Sequence, residues 1–144
     1  MNQARAFMGR SMNSNRGLMV SGGSFNGRRL SSVELYGEQG WTTISELPFA
    51  TDNHAQVATT EATYVFGGSE RKTTVLKLNG DDFEEIGQLK SMRVGATAHV
   101  INKDIYIVDG NPLTEELTIE LWHHEGKFSC YFFYRAQNKR KVHY

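Results

Sequence analysis

Leu18-Met19-Val20-Ser21-Gly22-Gly23 returns as Tyr64-Val65-Phe66-Gly67-Gly68, and again, degraded, as Tyr106-Ile107-Val108-Asp109-Gly110. Gly23 and Gly68 lie 45 residues apart, and Gly68 and Gly110 lie 42 apart. Each copy is followed by a short β-type run: Val33-Glu34-Leu35-Tyr36, Val75-Leu76-Lys77-Leu78 and Ile119-Glu120-Leu121-Trp122. Each run leads to an aromatic opening of a further strand, at Trp41, Phe83 and Phe128. Four anchors in fixed order, repeated at this period, mean a repeat architecture. Between the anchors there are short strands and turn residues with no sustained 3.6-residue periodicity, so the predicted class is all-β.

Strands are predicted over 55–59, 63–66, 74–78 and 83–86 in the second unit, with Asn79-Gly80 as a hairpin signal. The third unit repeats this over 97–101, 105–108, 117–121 and 127–134, and the first over 7–12, 17–20, 30–36 and 41–44. Each unit is thus a four-stranded antiparallel meander, the content of one β-propeller blade. The units divide as 4–44, 45–86 and 87–128, and 129–144 holds the remainder of the last strand and a basic tail. Each Gly pair is expected at positive φ, where the chain leaves a strand sharply. Trp41, Phe83 and Phe128 supply large apolar surface where one sheet packs on the next.

These anchors resemble the Kelch repeat, in which an apolar strand ends in Gly-Gly and a spaced aromatic and a Trp-like position follow. The first unit carries Gly22, Gly23, Tyr36 and Trp41. The second carries Gly67 and Gly68, with Leu78 for the Tyr and Phe83 for the Trp; the third carries Asp109-Gly110, Trp122 and Phe128. The family also places an Arg before each opening strand. Arg93 fits, 17 residues before Gly110, and Arg5 lies 18 before Gly23, whereas Leu47-Pro48-Phe49-Ala50 has no Arg. The resemblance spans roughly 4–128. It implies a Kelch-like propeller and a protein-interaction module; such domains recruit substrates to ubiquitin-ligase adaptors or bind actin. Family propellers close with more than three blades. The chain is therefore expected to be a fragment of a longer protein, to complete a ring as a homodimer, or to be a decayed array. Three blades alone would leave two terminal faces lined with apolar residues.

The 144 residues, 39% apolar and with zero formal net charge, fit one domain without a global field for nucleic acid or membrane. Arg135, Lys139, Arg140 and Lys141 make the last ten residues basic, while 1–134 carry twelve bases against sixteen acids. Cys130 is the sole cysteine, so no intrachain disulfide forms. No signal peptide, membrane-length apolar run or glycosylation sequon is present, which suits a cytoplasmic location.

In an up-and-down meander the second-to-third loops and the sheet-to-sheet linkers share one face. Here they are the long ones, at 24–32, 69–73, 111–116, 45–53 and 87–94. Long loops on a rigid scaffold are where binding sits. That face carries Arg28, Arg29, Arg71, Lys72, Lys90 and Arg93, and Arg suits carboxylates because its fork grips two oxygens. The expected function is non-catalytic binding of a protein or peptide segment, acidic in character. The alternative classes are a propeller-based oxidase or isomerase and a truncated chain without independent function. No catalytic residue, metal ligand set or cofactor is expected: His54, His99, His123, His124 and His143 lack a chelating pattern, and Cys130 has no base partner. No nucleotide-binding loop or nucleophile elbow occurs.

Overall fold

The computed structural model describes residues 1–13, 15–111, 113, 117–123 and 128–134. It is all-β; no helix occurs among the described residues. The first sheet contains β1 (Gly9–Asn13), β2 (Gly17–Ser21), β5 (Ser32–Gly37) and β6 (Gly40–Glu46), in that spatial order. Between β2 and β5 a separate ribbon forms from β3 (Ser24–Phe25) and β4 (Arg28–Arg29). The second sheet contains β7 (Ala55–Ala58), β8 (Thr63–Phe66), β9 (Thr74–Asn79) and β10 (Asp82–Gln88). The third contains β11 (Thr97–Ile101), β12 (Asp104–Val108), β13 (Leu117–Trp122) and β14 (Phe128–Tyr134). All three are antiparallel meanders. The opening strand of the first unit starts later than the sequence predicts. Ala6 pairs with Ser24, and Phe7 takes φ 54°, so the chain bends before it can join the sheet.

Register follows the repeat. Tyr36 pairs with Trp41, Leu78 with Phe83 and Trp122 with Phe128, the same step in each sheet. Side chains alternate between the two faces of a strand, so each sheet has one face toward its predecessor and one toward its successor. Opening strands β1, β7 and β11 lie side by side, and two seams form between the sheets. Met19 and Val33 meet Val65, Leu76, Leu78 and Phe83 in the first seam, with Leu47 from the linker. Tyr64, Phe66 and Val75 meet Ile105, Ile107 and Trp122 in the second, with Leu89 from the next linker. Phe66 and Trp122 pack edge to face there, with centroids 6.3 Å apart. Tyr36, an anchor of the repeat, is not packed between sheets. It lies on the first sheet's outer face, where no described sheet precedes it, and is 51% exposed.

The glycine turns show why the repeat needs them. Gly22 and Gly23 have φ 54° and 93°, and Gly67 and Gly68 have 62° and 104°. The following linker crosses directly over each pair: Gly23 N–H donates to Thr51 O and Gly68 N–H to Arg93 O, both at 2.8 Å. A Cβ on Gly22 would come within 2.5 Å of Thr51 O, and one on Gly67 would collide with Arg93 O. Asp109 holds the equivalent place at φ 63°. Asp tolerates this conformation better than most residues.

Candidate functional site

Three of the long loops, 24–32, 45–53 and 69–73, gather around one cleft, whereas most of 111–116 lies outside the described residues. Asn26 (φ 48°) and Gly27 (φ 75°) close the β3–β4 ribbon, which is the two-residue turn that Asn-Gly favours. The sequence expectation of a plain loop over 24–32 does not include this ribbon, although Asn26-Gly27 is the same signal as Asn79-Gly80. Its base is held by Ala6 N–H to Ser24 O (2.9 Å), Ser24 N–H to Ala6 O (2.8 Å) and Leu30 N–H to Gly23 O (2.8 Å). Arg29 then reaches out of the first unit. Its Nε lies 3.4 Å from Asp52 in the linker, and its NH1 lies 3.0 Å from Glu70 in the second unit. Ser24, Gly27, Arg29, Phe49, Ala50, Asp52 and Glu70 line a cleft of about 660 Å³.

Around this cleft the cations differ in how they are engaged. Arg28 and Lys72 are exposed and make no side-chain hydrogen bond or ion pair among the described residues. Arg71 lies 3.4 Å from Glu85 and 4.8 Å over the ring of Phe49. Lys90 is exposed on the next linker, and its main-chain N–H donates to Glu120 at 2.6 Å. Asp52, Glu70 and Glu85 stand among these five exposed cations, and Glu46 and Asp109 are exposed on the same face, so positive and negative groups are interspersed there. Phe25, 43% exposed, adds apolar surface on the ribbon.

Arg93 does not join them, which corrects its place among the surface cations. It is 0% exposed. Its guanidinium donates to Asp109 O (2.6 Å), Thr118 O (3.2 Å) and Thr118 Oγ1 (2.5 Å) and lies 3.4 Å from Glu120. Arg5 repeats this in the first unit, bonding Gly22 O (2.9 Å), Ser32 O (2.8 Å), Ser32 Oγ (3.0 Å) and Glu34. Burial alone would raise the Glu34 carboxyl. The Asn2 and Gln3 N–H groups and the Arg5 guanidinium outweigh that and hold it below its ordinary value. Both arginines fasten a glycine turn to the strand after it.

His54 is 5% exposed in the first seam. Its Nε2 accepts from Gly9 N–H at 3.1 Å and lies 2.9 Å from Ser21 Oγ. Burial pushes its pKa down to about 4, against the opposing effects of Asp52 and Ser21. Gln56 extends the network: its Oε1 accepts from Ser21, and its Nε2 donates to Ser11 Oγ at 2.8 Å. His99 is exposed on β11, and His123 lies 2.6 Å from Asp104. His124, Cys130's side chain and His143 lie outside what is described. Among the described residues no group of three or more His, Cys, Asp or Glu is placed to hold a metal ion. No described helix is long and apolar enough to cross a membrane.

No family model matches this chain, and no curated protein matches it. The Kelch resemblance therefore rests on the repeat's own residues.

Proposed function

We propose that this chain is a protein-interaction module of Kelch-like, propeller type that binds an acidic, aromatic-bearing peptide segment on its long-loop face. The observation that carries the reading is the cleft of about 660 Å³ beneath the β3–β4 ribbon. Arg29 lines it together with Asp52, Glu70 and Phe49, and Arg28, Arg71 and Lys72 are exposed on the same loops beside it. Exposed ion pairs are worth only ~0–1 kcal/mol. An incoming carboxylate can therefore take Arg29 from Glu70, or Arg71 from Glu85, at small cost, while Arg28 and Lys72 are already available. Phe25 and Phe49 offer ring surface beside those charges. The backbone-tied ribbon base means that little ordering entropy is lost on binding.

Fluorescence anisotropy with labelled Glu- and Asp-rich peptides containing Phe or Tyr tests the reading, with Lys-rich peptides of the same length as controls. Saturable binding of the acidic set that weakens with salt is expected. Reversing Arg28, Arg29 and Lys72 to Glu together should weaken it at least about tenfold, since each charged contact at a partly desolvated site contributes on the order of 1 kcal/mol. Equal binding of acidic and basic peptides, or no change in the reversed variant, would sink the proposal.

A further inference from the structure

Two Asn-Gly dipeptides occur in the chain, Asn26-Gly27 and Asn79-Gly80, and both sit in hairpin turns. Asparagine is a chemically labile residue, most of all before glycine. With no side chain on the glycine to shield it, that residue's main-chain nitrogen can attack the asparagine's side-chain carbonyl. The two turns differ in how firmly they are held. Asn26 and Gly27 are both exposed, and a Cβ on Gly27 would meet nothing within 4 Å. Neither the Asn26 amide nor the Gly27 N–H makes a hydrogen bond among the described residues. Two residue pairs, Ser24 with Arg29 and Phe25 with Arg28, hold the ribbon beneath them, and Phe25 near its tip is 43% exposed. Asn79, by contrast, is itself paired with Asp82 at the end of a six-residue strand in a four-stranded sheet. Its Nδ2 donates to Glu84 Oε1 at 3.2 Å. The first unit ties the same turn down: Arg16 donates to Gly80 O at 3.3 Å and lies 3.8 Å from Asp81.

We propose that Asn26-Gly27 is a site of spontaneous deamidation, which turns the neutral ribbon tip into an anionic one. The deprotonated Gly27 nitrogen bonds to Asn26 Cγ, the Cγ–Nδ2 bond breaks, and the side-chain nitrogen leaves as ammonia. A five-membered succinimide results. Water then opens either of its two carbonyl–nitrogen bonds. One opening leaves an ordinary aspartate at position 26; the other leaves isoaspartate, with an extra methylene in the main chain of a two-residue turn. Ring closure requires the backbone at Asn26 to rotate out of the tight turn. Opening the tip breaks one residue pair and exposes no buried apolar side chain, so it belongs with the low-cost local openings of a fold. At Asn79 the same rotation must break a sheet pair, the bond to Glu84 and the Arg16 contacts. The new carboxylate stands beside Arg28, which is exposed and has no partner among the described residues. Its consequence for ligands rests on the acidic-peptide reading above: it competes for that cation and lowers affinity as the molecule ages.

Peptide-resolved mass spectrometry of the full chain, aged in mildly alkaline buffer, is the test. Trypsin separates the two sites into 17–28 and 78–90. In the native protein the mass gain of amide-to-acid conversion should accumulate in 17–28 at least about fivefold faster than in 78–90. In urea, where the fold no longer distinguishes the sites, the two rates should be similar. Asn26→Gln should remove the gain from 17–28. Equal native rates, a faster reaction at Asn79, or no native reaction at Asn26 would overturn the site. Asn26→Asp should then weaken acidic-peptide binding by about two- to fivefold, the worth of one exposed charge pair. If the unmodified chain binds no acidic peptide, the peptide reading fails and the modification stands. If it binds and Asn26→Asp binds equally well, the consequence for ligands fails instead.

Discussion

The two seams join successive copies of one repeat, yet they place their polar groups in opposite parts. Near the opening strands the first seam holds Ser11, Ser21, His54 and Gln56 in a hydrogen-bonded network. The matching positions of the second seam are Val57, Phe66, Ala96 and Ala98, which are apolar and packed. Farther out the pattern inverts. The second seam buries Arg93 against Glu120, with Lys90 N–H on the carboxylate. The first seam has Thr51 for the arginine, Leu76 for the glutamate and Pro48 for the N–H donor. Arginine, carboxylate and donor are thus lost together. Removing one member of a buried ion pair strands the other, whereas replacing both by apolar groups is close to neutral. The repeat has drifted in whole networks rather than in single residues.

Breaking one network by halves should give the largest effect. Arg93→Met leaves Glu120 buried without its cation and should lower the unfolding free energy by ~3–5 kcal/mol, read as a drop in the urea midpoint. Adding Glu120→Leu should bring stability back to within about 1 kcal/mol of wild type by imitating the first seam. A double variant as unstable as the single would mean that the bonds to Asp109 O and Thr118 matter more than the pair itself.

The first seam should fail with acid instead. His54 is held neutral, with a folded pKa of about 4 against an ordinary 6.5. Its contribution is complete above pH 6.5 and is lost as pH falls toward 4, by roughly 3 kcal/mol in all. The lowered Glu34 carboxyl adds a further loss only below its ordinary value of 4.5. Urea titrations at pH 7, 5.5 and 4.5 should show this decline, and His54→Gln should flatten it. An equally steep decline in that variant would remove His54 from the account.

A smaller effect separates the second sheet's glycine turn from the Asp109 turn of the third. Gly67→Asp meets the Arg93 carbonyl and should cost about 2 kcal/mol or more. Asp109→Gly should change stability by less than about 1 kcal/mol in either direction. Thermal melts of the two variants are sufficient, and equal shifts would mean that the contact with the Arg93 carbonyl does not decide the residue at Gly67.

Much of the scaffold was legible because strand alternation and the Gly pairs are local signals. The strands from Ala55 to Ile101 lie close to their predicted bounds for that reason. The β3–β4 ribbon was hidden inside a long loop, although its Asn-Gly turn stood in plain sight. Arg93 was misplaced because an arginine in a linker reads as solvated. Only the register shows that its carboxylate partner lies 27 residues on. The polar network around His54 joins residues up to 45 apart across two sheets, and no local pattern announces that. Charge on the long-loop face was readable, but which cations already had partners was not.

Thr51 and Arg93 each place a carbonyl on the glycine turn of the sheet before them. Asn53 N–H likewise reaches back to Phe7 O at 2.8 Å. On a ribosome these contacts impose an order of events. The first sheet's strands can pair once Glu46 has emerged, but its turn remains unlatched until the stretch through Asn53 follows. A nascent chain paused between those points would expose Gly23's amide. One released beyond Asn53 would have the first meander secured before the second is complete.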